Sequence, residues 1–414
     1  MQSPPPTPGP WGGNFVGPLL LLPLLLLLLP LYAVAEPDQS IRLRLQQIRL
    51  KGQPKLVTGL VFLPQPGELL LSTMRGEIVH YRIKRGIDTE RLGSFRLPEQ
   101  DYGSQCAVSL ALDPDFETNS LLYASYCISL QTGRISRMRF STNYGQVAKS
   151  ARTVYEVGHP KAQLPFHNIG SIGFDPEGAL WALVGEKQLY LPAQDLKTDL
   201  GSLIRIRPRR EDPKGGYDPD PRNPFADREG ASPNILAYGL RSPWMGVLDR
   251  RGFYWIGDVG EHKFEEVNLL REPGQNFGWP KAEGPCKKKC EGLTDPLIAL
   301  PHALTGRYGR ENPKRTAKPR SVYVGLEYPR MDEDPYGGRL ADAILIGDFY
   351  AGWVRAIRID DDGRIVSDHH LAHVAGPSAW AVGPDSYIYV VKLRQTESSR
   401  LFRMLPVPAE PLAR

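Results

Sequence analysis

The sequence predicts an all-β chain folded as a six-bladed β-propeller. Three observations point there. A unit of strand, Asp/Pro/Gly turn, strand, Gly turn and strand recurs six times along the chain. No amphipathic helical period of useful length interrupts it. The 41 glycines and 39 prolines suit a chain built from many turns. Six units over residues 36–414 give about 63 residues each, a period of the kind that marks radial repeats. One such sheet cannot bury both of its faces alone, so the units stack around a channel.

The units follow in order. The first is Gly59–Leu63, a Pro66-Gly67 turn, Leu69–Leu71 and Ile78–Tyr81. The second starts at Val108, turns at Asp113-Pro-Asp115, and continues through Leu121–Ser125 and Arg134–Met138. The third runs from Ser171 to Leu203–Ile206. The fourth is Met245–Ile256, closing at Glu266–Leu270. The fifth is Val322–Val324, Ala343–Ile346 and Val354–Ile357. The sixth is Ala379–Val382, a Pro384-Asp385 turn, Tyr387–Val390 and Leu401–Met404. The ring must close, and the alternating Ile41–Leu45 is placed to add a strand to the last blade; residues 41–49 are expected to pair there. Residues 207–234 and 272–320 break the pattern. They read as long loops on one rim, where loops shape the channel mouth.

Residues 1–35 read as a secretory signal peptide. Leu19–Leu31 is leucine apart from Pro23 and Pro30, and Ala33-Val-Ala35 is an A-x-A cleavage site. Phe15 to Ala35 is also long enough to span a bilayer if it is not removed. The expected location is secreted or periplasmic, with membrane contact only through an uncleaved segment. Four cysteines suit that compartment, and the expected pairs are Cys106–Cys127 and Cys286–Cys290. Net charge is +5 with scattered basic residues, which excludes a nucleic-acid surface.

His167 and Glu186 lie nineteen residues apart, on two apolar strands joined by an Asp175-Pro-Glu-Gly178 turn. A hairpin brings its end back to its beginning. An imidazole and a carboxylate can meet there, the carboxylate orienting the ring as a general base. The alternative is a structural pair. His369, His370 and His373 read as surface histidines and Asp360–Gly363 as a hairpin turn. Asp218 and Asp220 offer a peripheral calcium site. No phosphate loop, nucleotide fingerprint, G-x-S-x-G elbow or H-E-x-x-H is present, so hydrolysis by those routes is unsupported.

From Val57 to Met404 the chain resembles the soluble glucose/sorbosone dehydrogenases. The matching segments are Ala111-Leu-Asp-Pro-Asp-Phe, His167 through Glu186, Ala193-Gln-Asp-Leu, Gly201-Ser-Leu-Ile-Arg-Ile, Asn223-Pro-Phe, Ile235 through Pro243, Glu266-Val-Asn-Leu and Asn276-Phe-Gly-Trp-Pro. Gly257-Asp-Val-Gly, the Cys286–Cys290 loop and Gly347-Asp-Phe-Tyr-Ala-Gly look closer to the hedgehog-interacting-protein-like branch. The resemblance implies six blades, pyrroloquinoline quinone (PQQ) and calcium, a small sugar or alcohol substrate and an external electron acceptor. It implies His167 as base and Glu186 as its orienting acid. Arg241 would sit beside the cofactor, with Ser242 where the family has asparagine. Gln105 falls at the cofactor-facing glutamine, and Gly260 and Glu261 at the carbonyls that hold calcium. Departures are plain. Tyr350 stands at the family's lysine, and Gly376-Pro-Ser378 at its Arg-x-Arg. PQQ has three carboxylates and loses three cationic partners here. Arg307, Arg310, Lys314, Arg315, Lys318 and Arg320 are the nearest reservoir. Two functions follow: a PQQ-dependent sugar or alcohol dehydrogenase, or a propeller that binds carbohydrate or protein without the cofactor.

Overall fold

A computed structural model of the chain describes residues 41–99, 106–302, 320–393 and 398–407. They belong to one compact unit spanning residues 38–414. The leader segment lies outside the described residues, as do Gln105, Arg307, Arg310, Lys314, Arg315 and Lys318.

The described strands form six antiparallel sheets, the six blades. Their innermost strands are Val57–Phe62, Ser109–Leu112, Ile169–Phe174, Pro243–Leu248, Val322–Tyr328 and Pro377–Val382. Each packs on the next around a ring, and the sixth packs on the first. Closure is as expected. Leu43–Ile48 pairs antiparallel with Arg400–Pro406, from Leu43 opposite Pro406 to Ile48 opposite Leu401. The chain's beginning therefore forms the outer strand of the sixth blade.

The cores explain why the ring is stable. Six clusters of buried apolar side chains lie one at each interface between neighbouring blades. Leu69, Leu71 and Val79 of blade one, for example, meet Tyr389, Val391 and Leu401 of blade six. Each fully buried Leu or Val contributes about 1.5–3 kcal/mol, so the blades hold one another rather than themselves.

Blades one to five each have a fourth strand that the apolar pattern did not reveal: Asp88–Arg96, Arg152–Gly158, Tyr217–Pro219, Ile298–Pro301 and Ile365–His373. These are outer, half-exposed strands whose polar residues hide the alternation. Two expected loops are corrected by them. Residues 207–234 contain Tyr217–Pro219, which takes one end of Ser202–Pro208, while Ile235–Tyr238 takes the other end. Blade three is thus five-stranded. Residues 272–320 contain the edge strand Ile298–Pro301 of blade four.

Both expected disulfides are present, with Cα separations of 6.1 Å for Cys106–Cys127 and 5.7 Å for Cys286–Cys290. His369, His370 and His373 lie on the outer strand of blade five. Asp360–Gly363 closes a hairpin, with Gly363 N–H donating to Asp360 O at 3.0 Å. Asp218 pairs with Arg209, and Asp220 with Arg207 and Arg222, so arginines take the place of a cation there.

Candidate functional site at one rim of the channel

Antiparallel pairing makes one rim special. Every innermost strand starts there, and every second strand ends there. His167 stands just before Ile169–Phe174, and Arg241 just before Pro243–Leu248. Glu186 follows Leu180–Val184, and Gly260 follows Tyr254–Asp258. All the described residues singled out for the site therefore share this rim.

His167 Nδ1 and Glu186 Oε1 are 2.6 Å apart, with side chains 9 % and 1 % exposed. Gly185 makes the approach possible: a Cβ there would lie 2.5 Å from the His167 carbonyl carbon and oxygen. His167 has φ of +50°, and Lys187, Gln188 and Tyr190 have φ near +60°. Such backbone costs on the order of 1–3 kcal/mol per residue and clusters at functional sites. Glu186 organises the turn, accepting N–H bonds from Gln188 at 3.0 Å and from Tyr190. An ionised carboxylate only accepts, so Nδ1 carries the proton in the neutral ring and Nε2 keeps its lone pair. Burial holds the His167 pKa below its usual value; the Glu186 bond opposes this and Arg241 adds to it. The shift favours the neutral ring.

Arg241 is placed by its backbone. Its N–H donates to Asp258 Oδ2 at 2.9 Å, and the Ser242 N–H to Asp258 Oδ1 at 2.6 Å. Its carbonyl accepts the Glu186 N–H at 3.0 Å, which ties blade four to the dyad. The guanidinium donates from Nη1 to Val259 O at 2.9 Å and lies 5.4 Å from the Trp279 ring centre. Its Nε is buried with no partner among the described residues. Tyr190 stacks on Trp279 at 5.7 Å and donates its hydroxyl to Glu261. Tyr190, Trp279 and Asp258 were not singled out for the site from the sequence. The Asn276-Phe-Gly-Trp279 and Gly257-Asp258 segments carried a signal through the resemblance; Tyr190 carried none.

The turn with Gly260 and Glu261 is built on Glu283. Its Oε1 accepts N–H bonds from Glu261, His262 and Lys263 at 2.8 Å and from Phe264 at 3.3 Å. Burial opposes ionisation of Glu283, yet these bonds hold its pKa low. No cluster of three or more His, Cys, Asp or Glu side chains among the described residues could hold a metal. A cation here would rest on backbone carbonyls, which suit calcium.

The central channel holds a cavity of about 740 Å³. Phe166, Trp244, Phe349, Tyr350, Ser378 and Trp380 line it, with no lysine or arginine among its described walls. His167 and Arg241 stand at its mouth rather than in its wall. Ser378 Oγ donates to Val57 O at 2.7 Å, and Tyr350 is 62 % exposed. Neither supplies the cation that stands there in the family.

A histidine–carboxylate pair and an arginine thus share one rim of a six-bladed propeller. The chain belongs to the glucose/sorbosone dehydrogenase family, whose profile matches residues 55–403. It is 26 % identical over 405 residues to the aldose sugar dehydrogenase YliI of Escherichia coli, covering 93 % of this chain and 98 % of that one. It is 36 % identical over 206 residues to the HIPL1 protein of Arabidopsis thaliana, covering 44 % and 29 %. The PQQ-bound aldose sugar dehydrogenase of Streptomyces coelicolor superposes with a TM-score of 0.65 at 20 % identity, covering 89 % and 99 %.

Proposed function

We propose that this chain is an exported dehydrogenase of aldoses or related alcohols that uses PQQ and calcium and passes electrons to an external acceptor. The observation that carries the reading is the 2.6 Å His167–Glu186 pair beside Arg241. The two disulfides suit a secreted or periplasmic protein.

The residues at the mouth fit a flat, anionic quinone. Arg241 has a buried N–H without a described partner, Tyr190 and Trp279 form a planar wall, and the channel has room. When bound, PQQ supplies the acceptor for a hydride. Gly260 and Glu261 are the carbonyls that would hold calcium. His167 Nε2 takes the proton from the substrate hydroxyl. Glu186 accepts from Nδ1 throughout, keeping the tautomer and stabilising the imidazolium that forms. Arg241 presents a fixed positive charge where oxyanion character develops, which costs no reorganisation during reaction.

The second reading, a binding propeller without cofactor, is favoured by the cation-free channel lining at Tyr350, Ser378 and Trp380. Reconstitution separates the two. Purified protein titrated with PQQ and calcium should give the absorbance of bound quinone and sugar-dependent dye reduction. No binding at tens of micromolar would leave the binding module.

A further inference from the structure

Blades four and five enter the ring in the same way. In blade four, Arg241-Ser242 precedes the inner strand, and Asp258 accepts both backbone N–H groups at 2.9 and 2.6 Å. In blade five, Arg320-Ser321 precedes the inner strand, and Asp348 accepts both N–H groups at 2.7 and 2.9 Å. Asp258 follows Gly257 and Asp348 follows Gly347, each at the end of a second strand. Arg320 therefore occupies in blade five the place that Arg241 occupies in blade four.

The surroundings agree. Ser321 lines the channel, so the dipeptide sits at its mouth. Arg320 is exposed, and among the described residues its guanidinium has no hydrogen-bond or ion-pair partner. The two arginines bracket one buried pair, Glu265 and His302, which are 2.7 Å apart. Burial raises Glu265 to about 7, and Arg241 is among the groups that pull it back. Burial lowers His302, and Arg320 lowers it further.

Resting on the dehydrogenase reading, we propose that Arg320 is a second anion-gripping residue of the mouth. With Arg241 it holds carboxylates of the quinone, in place of the cations absent at Tyr350, Gly376 and Ser378. A guanidinium fork suits a carboxylate in two-point contact, which a lysine does not reproduce. Its backbone is clamped by Asp348, so binding has only the side chain left to order.

The test is a PQQ titration of the full chain with calcium present, followed by quenching of tryptophan fluorescence and by bound-quinone absorbance. Arg320→Gln should raise the Kd at least about tenfold and flatten its salt dependence, since one screened charge contact is gone. Arg320→Lys should recover only part of the affinity. Arg364→Gln, in the exposed Asp360–Arg364 hairpin at the opposite rim, controls for net charge and should bind like the parent. A parent that binds PQQ while Arg320→Gln binds within twofold overturns the role of Arg320 alone. A parent that binds no PQQ overturns this proposal together with the dehydrogenase reading.

Discussion

Blades three and four each carry an acid at the functional rim, but two positions apart in register, and use it differently. Asp258 is the last residue of its second strand, opposite Pro243, whereas Glu186 lies two residues beyond Val184, which ends the second strand of blade three opposite Ile169. In blade four the carboxylate holds only backbone, the N–H groups of Arg241 and Ser242. Blade five repeats this, with Asp348 holding Arg320, Ser321, Tyr350 and Ala351. In blade three a glutamate two positions further on reaches a side chain instead. It binds His167 Nδ1 while its remaining capacity organises a left-handed turn. The strand-end acid that anchors backbone in blades four and five is absent from blade three, where Val184 stands, and the acid beyond the strand meets an imidazole. The difference lies in where the acid stands along the chain, one histidine and a strained turn that Gly185 makes possible.

The comparison breaks most directly at His167. His167→Ala should lower sugar-dependent dye reduction at least about a hundredfold, the scale for losing a general base. PQQ binding should persist, because the cations remain. Activity left unchanged would return blade three to the anchoring role of its neighbours.

Glu186→Gln tests orientation. The amide can still meet Nδ1 but no longer carries the charge that supports the imidazolium. Rate should fall roughly 10- to 100-fold, the scale for carboxylates that orient metal-bound imidazoles. The pH profile sharpens this. Burial places the His167 pKa below its ordinary value, so activity should fall only as pH drops through a pKa below 6.5. Glu186 raises that pKa, so its removal should move the acid limb to still lower pH. A limb that moves upward contradicts the assignment of Nδ1–H to Glu186.

Asp348→Ala tests the anchoring half. It leaves four N–H groups without their acceptor and should cost at least about 2 kcal/mol in urea unfolding, since orphaned buried donors cost about 1–3 kcal/mol. The kcat should change far less than in Glu186→Gln. A kcat loss as large as that of Glu186→Gln would show that the two acids do not differ in role.

The smallest effect is on stability against pH. Burial raises Asp258 to about 7, Glu265 to about 7 and Glu266 to about 8. The native state keeps these protons where the unfolded chain releases them near pH 4. Stability from these groups is therefore full below about pH 4 and is lost as pH rises toward 7–8. Asp258→Asn should flatten part of that fall between pH 5 and 8, measured by chemical unfolding. An unchanged slope would place Asp258 outside the titrating set.

The chain by itself determined much of this. Apolar strands of period two, punctuated by Asp, Pro and Gly, gave six units and their order, because each inner strand buries its faces against neighbours. The return of Leu43–Ile48 to the last blade followed from the need to close the ring. The cysteine spacing gave both disulfides, and the His167–Glu186 hairpin brought its partners together through one local turn. What only the tertiary structure decided lies where contacts are long-range and leave no period. The outer strands are half-exposed, so Tyr217–Pro219 and Ile298–Pro301 read as loops until their partners are seen. Asp258 and Asp348 act on backbone N–H groups, which every residue but proline carries, so no residue pattern betrays the clamp. The parallel placing of Arg241 and Arg320 is likewise a property of the ring, since radial packing aligns positions that lie 79 residues apart in the chain.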